Sequence, residues 1–170
     1  MRFFSSILTI SAALSVAAQA SQPTKTDPCL ENGCLSIDSL TIFVHLKPKP
    51  DDNISLDYTI SFADHEEECI VEWKYGKSAG QRGFPKANDP VGCDGGRFAT
   101  FFDSFSTTSN FVLEASYTYA LHSTGQIRTI HGRGTVDSNV LICDNYLNSK
   151  RCQLDYDKVS EIKLPIYQPE

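Results

Sequence analysis

Asn110-Phe111-Val112-Leu113-Glu114-Ala115-Ser116-Tyr117-Thr118-Tyr119-Ala120-Leu121 places an apolar residue at every second position from Phe111 to Leu121. Successive side chains of a strand point to opposite faces, whereas a helix gathers a face at intervals of three and four, so this period specifies a strand with one buried side. It is the longest such run in the chain and predicts a central strand. Downstream, Ser123-Thr124-Gly125-Gln126 reads as a hairpin turn and Ile127 to Val136 as the return strand, thinned by Gly132 and Gly134, where a bend or bulge is expected. Upstream, Phe98, Thr100 and Phe102 alternate with Ala99, Phe101 and Asp103. Three further alternating runs come earlier, over Leu40 to Lys47, Ile54 to Phe62, and Cys69 to Tyr75.

The segments between these runs carry turn chemistry. Lys47-Pro48-Lys49-Pro50-Asp51-Asp52-Asn53 cannot continue a ladder through its prolines, and Asp64-His65-Glu66-Glu67-Glu68 reads as an exposed acidic turn rather than a calcium site. Gly76 to Gly96 holds six glycines and two prolines with little periodicity, which predicts a long surface loop anchored by Cys93. Val159 to Ile166 makes a last strand, and Tyr146 to Lys150 is the one place suited to a helical turn. About seven strands without a long helical period predict an all-β fold, an antiparallel β-barrel or β-sandwich stabilised by disulfides.

The N-terminus is of another kind. Arg2 precedes an apolar stretch from Phe3 to Ala18 that ends in Ala18-Gln19-Ala20, the layout of a secretory signal peptide over residues 1–20 with a small-x-small cleavage site. Several Ser and Thr residues make it a poor bilayer span. Residues 21–36, rich in Ser, Thr, Pro and Gln at their start, read as a flexible leader containing Cys29 and Cys34, and 37–170 as a single β-domain. The expected location is extracellular. The formal net charge is −6, and losing Arg2 with the signal makes the remainder more acidic. Such a surface repels phosphate backbones and anionic lipids, which disfavours nucleic acid and membranes as partners. The six cysteines, Cys29, Cys34, Cys69, Cys93, Cys143 and Cys152, read as disulfides in a secreted chain, although their number alone leaves the pairing open. No zinc-type spacing accompanies them, and neither a metal nor a cofactor is expected.

Candidate sites are few. Phe84, within Gln81-Arg82-Gly83-Phe84-Pro85-Lys86, is an apolar residue in a basic, glycine-bounded loop, so Arg82, Phe84 and Lys86 form the expected contact surface. Trp73 and Tyr75 fall on an alternating face and are expected in the core. Asn53-Ile54-Ser55 is the one glycosylation sequon, placed just after a Pro-Asp loop. No Gly-x-Ser-x-Gly elbow is present, and a single Trp leaves an Asp103–Glu114 glycosidase pair without a sugar platform. The enzymatic alternative is a small secreted ribonuclease using His45, Glu72 or Glu114, Arg128 or Arg133, and His131 as an acid–base and phosphate-binding set, which resembles guanyl-specific ribonucleases in order alone. His122 and His131 flank one hairpin turn and are expected near each other across its strands.

Taken in order, Cys69, Trp73-Lys74-Tyr75-Gly76, the loop ending in Cys93, Arg97-Phe98, Phe105, Asn110-Phe111-Val112-Leu113-Glu114, Tyr117-Thr118-Tyr119, Gly132-Arg133-Gly134-Thr135-Val136, Leu141-Ile142-Cys143, Cys152 and Leu164-Pro165-Ile166 carry a likeness. The chain after Leu35 resembles the Alternaria major-allergen-like family of small secreted cysteine-rich fungal proteins. The resemblance implies a compact antiparallel β-barrel or two-sheet fold with bridges Cys69–Cys93 and Cys143–Cys152. It also implies a non-catalytic effector or elicitor that binds a host apoplastic defence protein or a small phenolic ligand. The chain departs from the family in its extra pair, Cys29 and Cys34, where some members carry one cysteine that bridges two subunits. An internal Cys29–Cys34 bridge removes that route, so either a monomer or a homodimer is compatible with the sequence.

Overall fold

The computed structural model of the protein describes Cys29 and residues 33–50, 52–77, 84–87 and 89–168. The expected signal peptide and Arg82 lie outside these residues. Ten strands account for all the regular structure described: β1 (Cys34–His45), β2 (Asn53–Phe62), β3 (His65–Lys74), β4 (Val91–Gly92), β5 (Phe98–Thr107), β6 (Asn110–Ala120), β7 (Ile127–Val136), β8 (Leu141–Tyr146), β9 (Ser149–Leu154) and β10 (Ile162–Tyr167). Eight of them run in the order β3-β2-β1-β10-β7-β6-β5-β4 and curl into a nearly closed antiparallel β-barrel. The β8–β9 hairpin branches off, with β9 pairing to the same edge of β1 that receives β10 further along.

The alternation read from the sequence sorts the two faces. Ile42, Leu56, Tyr58, Val71, Phe102, Phe111 and Leu113 point inward and are buried. Two polar groups inside, the Tyr58 and Thr100 hydroxyls, hydrogen-bond to each other, which is how a barrel interior accommodates them. Near one end Trp73, Phe84, Phe102, Phe105 and Phe111 pack ring against ring, with Trp73 and Phe102 centroids 5.0 Å apart.

Closure is made by sulfur and by a carboxylate. Cys69 on β3 and Cys93 just past β4 join the two outermost strands, and the Asp94 amide donates to the Glu68 carbonyl at 3.1 Å. The Glu67 carboxylate accepts from the Arg97 and Phe98 amides at 3.2 and 3.3 Å. Gly95 leaves room for this carboxylate, since a Cβ there would lie 2.2 Å from Glu67 Oε1 and the Glu67 side chain would have to move. The other bridges are Cys143–Cys152, directly opposite each other on β8 and β9, and Cys29–Cys34 ahead of β1. All six cysteines are therefore paired, as in the two bridges the resemblance implies and the internal third. Three disulfides are consistent with an extracellular protein.

Several expectations are corrected. The acidic run is strand: Glu66, Glu67 and Glu68 pair with Ser61, Ile60 and Thr59, and the turn is Ala63-Asp64. The strand expected from Leu40 begins at Cys34, inside the segment read as leader, and Tyr146 to Lys150 is a hairpin connection rather than a helical turn. Gly132 and Gly134 make no bulge, since β7 pairs with β6 in unbroken register from Ile127 to Val136. Their role is close approach: a Cβ on Gly132 would stand 2.8 Å from the Leu164 carbonyl oxygen, and one on Gly134 2.6 Å from a Leu164 methyl. Bare backbone lets β10 lie tight across β7.

Candidate functional site

β10 meets β7 at only two pairs, Ile166 with Gly132 and Tyr167 with His131. Past that point Ile127 to Ile130 keep β6 on one side and pair with no strand among the described residues on the other. Among those residues the wall of the barrel is open where β10 ends. A groove of about 690 Å3 fills the gap, lined by Tyr119, Arg128, Ile130, Ile166 and Tyr167 together with Thr129 and Gln168. Arg128 sits opposite Tyr119 in the β6–β7 register and is exposed. Two tyrosines, two isoleucines and one guanidinium therefore face one opening of a size typical for small-molecule sites.

Tyr167 also forms one wall of a shallower groove on its other side, about 470 Å3, with Val112, Arg133 and Thr135. Beneath it lies an outward-facing carboxylate that is nevertheless buried. Glu114 alternates with the inward Leu113 and Ala115, yet is only 5% exposed. The Tyr167 hydroxyl donates to its Oε1. His131 Nδ1 stands 3.9 Å from the same oxygen, too far for a hydrogen bond, and has no hydrogen-bond partner among the described residues. Arg133, opposite Glu114 on β7, is ion-paired to Asp103 of β5. Burial pushes the Tyr167 hydroxyl well above the usual tyrosine range, and the adjoining Glu114 pushes it the same way. The phenol consequently stays a donor and holds the carboxylate and the ring in place.

The structure distributes the sequence-derived residues unevenly. Glu114, His131 and Arg133 of the acid–base set meet on this patch. Glu72 and His45 lie on the outer faces of β3 and β1, which are separated from β7 in the strand order. His122 and His131 are not neighbours: His131 stands opposite Ser116 in the middle of β6, whereas His122 lies past the end of that strand, six residues further along the chain. The expected contact surface is overturned at its centre. Phe84 is 1% exposed and wedged among Trp73, Phe102 and Phe105, so it anchors the loop to the core instead of presenting it. An aromatic ring in a glycine-rich loop gains more from burial than from display. Lys86 is half-buried in a two-residue bridge with Asp89. Trp73 is in the core as expected, whereas Tyr75, placed just past the end of β3, is 40% exposed. Asn53 opens β2 with its side chain in solvent.

Ile166 was legible only as the end of the last strand, and Tyr167 was not singled out in the sequence. They close the last strand, and their importance arises from where β10 stops against β7. Comparison with known protein families, curated proteins and solved structures finds no match to this chain. Among the described residues no group of three or more His, Cys, Asp or Glu side chains is placed to hold a metal ion.

Proposed function

We propose that the protein is a secreted, non-catalytic binding protein of the fungal effector or elicitor type, and that the groove at the β7–β10 seam takes a small phenolic acid. The effector reading rests on the sequence resemblance and on an N-terminus laid out as a signal peptide. The ligand reading is supported by one observation, the groove at the gap in the barrel wall that Arg128, Tyr119 and Tyr167 line together. Aromatic rings pack a phenyl ring, isoleucines exclude water from it, and a guanidinium offers paired donors to a carboxylate. Titration calorimetry with 4-hydroxybenzoate, and with 4-hydroxybenzyl alcohol as its uncharged counterpart, tests this. The acid is expected to bind and the alcohol to bind at least roughly tenfold more weakly, the difference vanishing in Arg128→Ala. No binding of either compound would remove the small-ligand reading.

A second reading is favoured by the meeting of Glu114, His131 and Arg133 on one patch: phosphodiester cleavage by a carboxylate base and an imidazole acid. Against it, Arg133 is engaged by Asp103, and His131 and Glu114 stand side by side instead of flanking a space for a phosphate. RNA cleavage that is lost in both Glu114→Gln and His131→Ala would establish it.

A further inference from the structure

On the outer face of β2, Asn53, Ser55 and Asp57 alternate with the buried Ile54, Leu56 and Tyr58. Phe43 of β1 stands directly opposite Ser55, which makes it the diagonal neighbour of Asn53, at about 7–8 Å and within reach of a large side chain. Its ring is 38% exposed and meets His45 edge-on at 5.7 Å. Across β1, Arg151 of β9 lies opposite Phe43 and Gln153 opposite Thr41, and Tyr146, 69% exposed, closes the far side. Phe43, Ser55, Asp57, Tyr146, Arg151 and Gln153 line a groove of about 760 Å3, and Asn53 stands next to Ser55 on the same face, beside the groove. The Arg151 side chain makes no ion pair or hydrogen bond among the described residues, although Asp144 of β8 stands directly opposite it in the same groove, so its donors are open to a ligand.

We propose that this groove is the seat of an N-linked glycan carried by Asn53, with the first sugar against the Phe43 ring. A pyranose has an apolar C–H face and a rim of hydroxyl and amide groups. The groove supplies the complement: exposed aromatic rings for the face, and Arg151, Gln153 and Asp57 as donors and acceptors for the rim. The sequon supplies the occupant, since its asparagine emerges on the same face and its serine, Ser55, lines the groove itself. The glycan covers an aromatic patch that otherwise faces water. This inference rests on the export reading above, because the modification requires passage through a glycosylating secretory route.

The test is secretion from a yeast host on a heterologous signal, so that failure of the native leader to deliver the chain bears on the export reading alone. Asn53 occupancy is read by mass spectrometry, the glycan is trimmed to one N-acetylglucosamine, and melting is compared with Asn53→Gln. The glycosylated protein is expected to melt roughly 2–4 °C higher, a gap that collapses in a Phe43→Ser background and persists in Ile70→Ser, an exposed control on the neighbouring β3. An unmodified Asn53, or a gap unchanged by Phe43→Ser, overturns the proposal. Should Phe43→Ser fail to fold, nuclear Overhauser contacts between the N-acetyl methyl and the Phe43 ring decide instead, and their absence overturns it.

Discussion

The Tyr167 hydroxyl reaches from β10 over β7 to donate to Glu114 on β6. One hydrogen bond therefore links β10 to β6 across β7. It satisfies a buried carboxylate and fixes the ring that divides the two grooves.

Removing that donor leaves Glu114 buried without its partner. Tyr167→Phe is expected to destabilise the fold by about 1–3 kcal/mol, the cost of an unsatisfied buried polar group. Tyr167→Phe combined with Glu114→Leu should recover part of the loss, because both polar ends are then gone. Urea unfolding of the two variants reads the difference, and a neutral Tyr167→Phe would show that the bond contributes nothing.

The alkaline limb of stability follows from the same group. Tyr167 and the fully buried Tyr58 both have pKa values raised above the tyrosine norm, chiefly by burial. For an acid whose folded pKa lies above its unfolded value, the stabilisation is complete below the unfolded value, about pH 10, and drains away as pH climbs toward the folded one. Tyrosinate absorbance is expected to show late-titrating phenols, one of which is lost in Tyr167→Phe, with stability declining above about pH 10.

Phe84 behaves as core. Phe84→Ala is expected to cost about 3–5 kcal/mol, the range for emptying a buried aromatic site. Tyr75→Ala, at a half-exposed position, should cost far less. Equal and small effects in thermal unfolding would return Phe84 to the surface role first expected of it.

Barrel closure depends on Cys69–Cys93, which spans 24 positions. Replacing both cysteines by alanine should lose roughly 3–4 kcal/mol by the loop-entropy estimate, more than the shorter Cys143–Cys152 or Cys29–Cys34 loops. The order of the three losses, measured by denaturant unfolding, is the check.

How much of this was legible beforehand depended on alternation. The β6 and β2 runs keep strict period two and their inward residues are core, whereas β5 keeps it only as far as the bulge between Phe102 and Ser104. The start of β1 was hidden because a bulge between Ile37 and Ser39 breaks the register, so the buried Leu35 and Ile37 fall out of phase with Leu40 and Ile42. β8 and β9 were missed because each has only six residues and carries a polar run, Asp144-Asn145 on one and Ser149-Lys150-Arg151 on the other, that hides the alternation. Of the candidate site, Glu114, Arg128, His131 and Arg133 were visible as residue types. Their grouping was not, since it is created by the point at which β10 crosses Gly132 and Gly134.

That crossing gives the groove its shape. Gly132→Ala would press a methyl against the Leu164 carbonyl and force β10 outward, at a cost of about 1–3 kcal/mol. Weaker binding of 4-hydroxybenzoate should accompany it, and calorimetry on the folded variant measures both.

The central claim is that the seam between β7 and β10 is a ligand site. Amide chemical-shift mapping of the isotopically labelled protein with 4-hydroxybenzoate tests it most directly. The account predicts that shifts concentrate at Tyr119, Arg128, Thr129, Ile130, Ile166 and Tyr167. Shifts that fall on the Phe43 face, or no shifts at saturating ligand, would contradict it.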